Sequence, residues 1–346
     1  MMHPIVKTDV ERVLSNVDLT PLSGNNVLIL GSNGLIGTYL TNVLHLATEL
    51  RLINDISVFC ISKSAPNKML DEAKNNNNFH FIANDLTLMN DFPEDCNYII
   101  HGATYAQPKK FIENKRSTIK LNTEVTDRVL QFYSNKRQIN FLFLSSSEIY
   151  GNTSLQYIPT SETYYGNCAT TGPRAVYSES KRLGETICDV YRDGGQNIKI
   201  ARISSAYGPG ISIYDKRVIG EFLHQALCKG SITLADTGQS IRTYCYVADC
   251  VTMLLNILLY GKSFIYNVGG IERLTIRELA QMICEITHSI LILPEKSVNH
   301  IIENTPDVVQ LDISKYKLEF GDFTFTPLNT GLQKTINWNT EVFINK

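Results

Sequence analysis

The sequence has one tryptophan, no Cys-x-x-Cys pair, no internal repeat and no excess of either charge sign. Its 32 Lys+Arg against 34 Asp+Glu leave a formal charge of −2, so nothing provides the basic surface that nucleic acid or an anionic membrane would require. The longest apolar run, Tyr246–Tyr260, is broken by Asp249 and Asn256 and is too short to span a bilayer. The first residues carry Lys7, Asp9, Glu11 and Arg12, unlike a signal peptide. Eight cysteines are scattered, mostly in apolar runs, which reads as buried free thiols in a reducing compartment rather than a disulfide framework or metal site. A soluble, cytoplasmic protein without metal is expected.

What is present is an apolar fraction of 43% spread over 346 residues, enough for one large α/β domain or two lobes. Continuous apolar runs occur at Val27–Leu30, Ser57–Ile61, Phe79–Ala83, Tyr98–Ile100, Phe141–Leu144 and Ile198–Ala201, as in strands buried on both faces. Helical patterns lie between them at Leu35–Glu49, Arg116–Ser134 and Ala175–Tyr191. The alternation predicts right-handed crossovers and a doubly wound parallel sheet. Residues 4–20 read as an appended helix, and Ser263–Val268 as a strand returning to the sheet after the pattern changes near Gly208-Pro209-Gly210. The expected division is a helical extension over 1–24, a dinucleotide-binding domain over 25–204 and 243–270, and a smaller substrate lobe over 205–242 and 271–346.

Gly31, Gly34 and Gly37 follow the first strand and open the first helix together with Leu35 and Ile36. Strand, glycine turn and helix N-terminus together make a diphosphate site. After the second strand, where NAD sites place a carboxylate on the ribose, stand Ser62 and Lys63, which leaves NAD and NADP both open.

Tyr177 and Lys181 sit at i and i+4 on one helix face. A phenol is a poor base at neutrality unless a nearby cation lowers its pKa; with one, it can take a proton from a hydroxyl while hydride leaves the same carbon. Alone, that spacing is ordinary surface decoration; after a glycine turn and a serine-bearing strand end it is a catalytic pattern. The strand end is Ser145-Ser146-Ser147-Glu148, in which Ser146 is the hydroxyl selected to orient the reacting oxygen and Glu148 a proton shuttle. Ser145 better suits satisfaction of a backbone group.

From Asn25 to Trp338 the chain resembles the extended short-chain dehydrogenase/reductases that modify nucleotide sugars, with a Rossmann-like domain and a smaller C-terminal lobe. Ser145–Gly151, Thr118–Thr123, Gly172–Tyr177, Lys181–Thr186 and Asp215–Val218 look most like UDP-glucuronate decarboxylases. The resemblance implies bound NAD, with NADP not excluded, a nucleotide-diphosphate sugar as substrate and a homodimer built on paired helices. It also implies cofactor contacts at Asp85, Leu86, Ala103, Thr104 and Asn122, and substrate contacts at Ser147, Ser205, Arg217 and Arg242, the last on the diphosphate. Catalysis would fall to Ser146, Glu148, Tyr177 and Lys181, through transient oxidation of the sugar at C4. Decarboxylation, 4-epimerisation and 4,6-dehydration share that step, and a catalytically silent NAD(P)-binding regulator is the alternative from another class.

Three departures stand out. Ser147 replaces the aspartate of the 4,6-dehydratases, which counts against ordinary dehydration. Ser205 stands where asparagine is usual, and Val309 stands nearest to an arginine of the decarboxylases. The latter two changes are expected on the nucleotide side.

Overall fold

The computed structural model describes residues 1–135, 138–294 and 306–344. Seven parallel strands form the central sheet: β1 (Asn26–Leu30), β2 (Ser57–Ser62), β3 (Phe79–Ala83), β4 (Cys96–His101), β5 (Asn140–Ser146), β6 (Asn197–Ile203) and β7 (Ile265–Val268). Their spatial order is β7-β6-β5-β4-β1-β2-β3, with Leu30 opposite His101 and Ser146 opposite Ile203. The return strand expected near Ser263–Val268 joins the edge beside β6.

Alternating residues of each strand enter different cores, as the pleat requires. Val27 and Ile29 of β1 pack into a large cluster with helices α1 (Pro4–Asn16), α2 (Leu35–Glu49) and α6 (Val247–Tyr260). Leu28 and Leu30 enter a second cluster on the opposite face, covered by α4 (Glu124–Ser134) and α5 (Ala175–Asp193). The periodicity over Arg116–Ser134 predicts one helix; the chain instead forms α3 (Lys115–Asn122) and α4, separated at Thr123, whose φ of −122° and ψ of −76° are not helical. The N-terminal helix ends at Asn16 rather than at residue 20, and a separate short turn spans Thr20–Leu22.

Sheet order reverses between β1 and β4, since β2 leaves on one side and β4 on the other. Ligands of doubly wound sheets bind outside the carboxyl ends of the strands at such a point. Past β6 the chain builds small sheets, one of which sets Arg242 opposite both Leu274 and Val309. Of the region expected to form the substrate lobe, residues 295–305, 345 and 346 lie outside the described residues. No described helix is long and apolar enough to cross a membrane, and all eight cysteines are free.

Candidate functional site

The crevice at β1 and β4 is shaped by backbone contact. Gly31 has φ +90°, and a Cβ there would lie 2.8 Å from the Ala103 nitrogen. A Cβ on Gly37 would lie 2.4 Å from the Gly31 oxygen, so this glycine lets α2 pack against the turn that precedes it. Gly34 is the N-cap of α2 and offers no side chain to its first N–H groups, which is the arrangement an anion needs. At the end of β4, Thr104 Oγ1 is buried with no partner among the described residues. A cradle closed to a Cβ, an uncapped helix end and an orphaned hydroxyl fit a dinucleotide along this crevice. Leu35 and Ile36 are half-buried at the start of α2, and Leu86 is buried.

At the outer end, Lys63 is ion-paired to Asp85 at 2.8 Å. Hydrogen bonding to Asp85 and the neighbouring Tyr105 raise the ammonium's pKa, and that same hydrogen bond lowers the carboxyl's. The lysine charge is thus matched within the protein. Ser62 donates to the Ser64 carbonyl at 3.0 Å. Asn122 is buried, donating to Ser180 at 2.9 Å across the α3–α5 packing, and its Oδ1 has no partner among the described residues.

The second half of the site lies at the end of β5. Ser145 donates to Glu185 at 2.5 Å, and Glu185 is gripped by Arg202, with Nη2–Oε2 at 2.7 Å. Arg202 also donates to the Tyr150 hydroxyl at 2.9 Å. This buried network fixes the strand end and the turn that follows. Ser146 accepts from the Glu148 N–H at 3.2 Å and lies near enough to the Tyr177 phenol to lower its pKa. Tyr177 stacks on Phe111, with ring centroids 5.0 Å apart and planes within 10°. Its burial pushes the phenol up to about 12 against the lowering effects of Ser146, Arg217 and Arg174.

Lys181 sits one turn further along α5, buried, donating to the Leu144 carbonyl at 2.6 Å and lying 4.4 Å above the Phe143 ring. Burial brings its ammonium down to about 7. The cationic groups that lower the Tyr177 phenol are Arg217 and Arg174.

Glu148 faces a small, open cavity that is also lined by Ser147, Tyr150, Val308 and Val309. Its carboxylate is held by Arg174 in a fork, Nε–Oε2 3.1 Å and Nη2–Oε1 2.5 Å. Val309, expected on the nucleotide side, also lines the Glu148 cavity. Arg242 donates to the carbonyls of Pro306 and Asp307 at 2.7 and 3.1 Å. Arg217 is tied to Asp215 with Nη2–Oδ2 at 2.7 Å. Ser205 is exposed with φ +40°, a conformation asparagine adopts more readily than serine.

Phe111, Arg174, Glu185 and Arg202 shape this centre, although none was singled out from the sequence. Arg174 lies within the quoted Gly172–Tyr177 stretch, and its spacing three residues before Tyr177 was the available signal. Among the described residues, no group of three or more metal-ligating side chains is found.

A nucleotide-shaped crevice joined to a Ser–Tyr–Lys centre defines an α/β protein of the extended dehydrogenase/reductase kind. The sequence profile of the NAD dependent epimerase/dehydratase family matches residues 27–269, and the chain belongs to that family. It is 32% identical over 314 residues to UDP-glucuronic acid decarboxylase 6 of Arabidopsis thaliana, covering 90% of this chain and 87% of the relative. With UDP-glucuronic acid decarboxylase 1 of Danio rerio it shares 30% identity over 316 residues, covering 90% and 72%. A crystal structure of UDP-glucuronic acid 4-epimerase from Bacillus cereus superposes with a TM-score of 0.77 at 20% identity, over 92% of this chain and 100% of that one. DesIV, a dTDP-glucose 4,6-dehydratase from Streptomyces venezuelae, gives 0.78 at 21% identity, over 92% and 97%. These two structures speak for the fold.

Proposed function

We propose that the chain acts on a UDP-uronate, oxidising it transiently at C4 and releasing its carboxylate as carbon dioxide, with NAD as the resident cofactor. The observation that carries this reading is the meeting of Tyr177, Ser146 and Glu148 at one strand end, beside the glycine-turn crevice. The named decarboxylase relatives supply the substrate class.

In this reading Tyr177 takes the proton of the sugar's 4-hydroxyl while Ser146 orients that oxygen. Bound NAD supplies the hydride acceptor and, at the end, the donor. Gly31, Gly34 and Gly37 would hold its diphosphate, Asp85, Leu86, Ala103, Thr104 and Asn122 would line its course, and Lys181 would contact its ribose. A ketone at C4 makes C5–C6 cleavage possible: the bonding pair passes into the C4 enolate and C6 departs as carbon dioxide. Glu148, once it has taken up a proton from solvent, passes that proton to C5. Ser147 lacks the acidic group that departure of a hydroxyl calls for, which favours loss of carbon dioxide over dehydration. Arg242, Arg217 and Ser205 belong to the diphosphate side of a substrate lobe built from 205–242 and 271–346.

The same reading includes a homodimer through the outer face of α3 and α5, where Ile119, Leu183 and Val190 are exposed. Eight free thiols suit a reducing, cytoplasmic setting.

The test is mass spectrometry of the nucleotide-sugar product after NAD-loaded protein is incubated with UDP-glucuronate. Loss of one carbon dioxide is expected. An isomer of unchanged mass would replace decarboxylation with 4-epimerisation.

A further inference from the structure

Three arginines lie near Glu148 or Tyr177, and only one of them is paired with a carboxylate that lines the cavity. Arg217 is matched by the buried Asp215. Arg242 is engaged by backbone carbonyls. Arg174, the N-cap residue of α5, has its main chain fixed by the first helical turn: its carbonyl accepts from the Tyr177 N–H at 3.0 Å. Its guanidinium reaches across to Glu148, close enough to Tyr177 and to Arg242 to act electrostatically on both.

The Arg174–Glu148 pair is half open, with side-chain exposures of 23% and 32%. An ion pair in that setting is exchangeable: breaking it does not strand a charge in a dry core, as it would for Arg202 and Glu185 at 9% and 10%. A planar guanidinium binds any carboxylate presented in the same fork geometry. We propose that Arg174 is the receptor for the substrate's own carboxylate, which takes the place of Glu148 on the guanidinium and thereby sets Glu148 free for proton transfer.

This inference rests on the UDP-uronate reading above and adds its selectivity. Arg174 keeps one carboxylate throughout the exchange, and the displaced Glu148 offsets its lost counter-ion by taking a proton from solvent. A neutral hexose has nothing to exchange, so it leaves Glu148 bound. A carboxylate that has lost its counter-ion is also the better proton acceptor, so release and activation coincide. The same arginine holds the acid without destroying it: loss of carbon dioxide carries the negative charge away from the guanidinium, which returns to Glu148 once the acid has gone.

The test is a calorimetric double-mutant cycle on NAD-loaded protein with UDP-glucuronate and UDP-glucose as probes. Arg174→Gln is expected to weaken UDP-glucuronate about tenfold or more while UDP-glucose binding changes less than about threefold, which also shows that the variant is folded. Glu148→Gln removes the competitor and is expected to tighten UDP-glucuronate severalfold. That gain disappears in the Arg174→Gln/Glu148→Gln double variant. Equal weakening of both ligands by Arg174→Gln would assign the arginine a structural role and overturn the proposal. A gain from Glu148→Gln that persists without Arg174 would reduce it to simple repulsion. If the unmodified protein binds neither ligand, the UDP-uronate reading itself fails; if it binds UDP-glucuronate and Arg174→Gln has no effect, this proposal alone fails.

Discussion

Lys181 is the most constrained residue of the centre. Its ammonium is buried against Phe143 and the Leu144 carbonyl, and its neighbour His101 is buried as well. Burial and the Lys181 charge take that imidazole down to about 3, so His101 is neutral beside the lysine at physiological pH. A lysine near 7 when folded and near its ordinary value when unfolded gives a definite pH slope. Between about 7 and the usual lysine range, the unfolded chain binds a proton that the folded chain lacks. Stability contributed by this site therefore rises with pH through that window and falls as pH drops toward 7. Urea denaturation at a series of pH values should show the slope in the native protein and its loss in Lys181→Met; parallel curves for the two would contradict it.

At the scale of elements, the strand–turn–helix unit around Gly31 carries the cofactor argument. A methyl at position 31 meets the Ala103 backbone at 2.8 Å in a conformation with φ +90°, so two independent penalties coincide. Gly31→Ala is expected to reduce NAD affinity at least tenfold, measured by calorimetry, with the far-ultraviolet circular dichroism retained. Unchanged affinity would remove the turn from the site. This unit, the parallel strands and the Tyr177–Lys181 pair were legible in the sequence because each is local: a run, a turn or one helix face. The break at Thr123 was not, since the amphipathic pattern of α3 and α4 runs on across it. Nor was the Arg174–Glu148 pair, whose members are 26 positions apart and meet only when α5 packs on β5. The Glu185–Arg202 network is hidden for the same reason: its residues lie on α5 and β6, and each looks like a surface charge until the sheet closes over it.

For the whole molecule, the N-terminal helix is a clasp rather than an appendage. Asp9 is fully buried and accepts from Tyr39 of α2 at 3.1 Å, Tyr246 at 2.5 Å and Lys334 at 2.7 Å. Arg12 pairs with Asp249 of α6 at 2.8 Å, and Asp249 in turn receives the Thr326 N–H at 2.8 Å. One helix thus fastens the first crossover to α6 and to the C-terminal segment. Sequence separations of 325 and 237 residues put these contacts beyond any local pattern.

The account centres on transient oxidation at C4 by a sheet-and-lobe enzyme whose acid–base group is Tyr177. Rapid mixing of NAD-loaded protein with UDP-glucuronate, followed by the absorbance of reduced nicotinamide, tests this most directly. The account predicts a rise and decay in the native protein, and a flat trace in Tyr177→Phe with NAD still bound. Carbon dioxide release at an undiminished rate from Tyr177→Phe would contradict it.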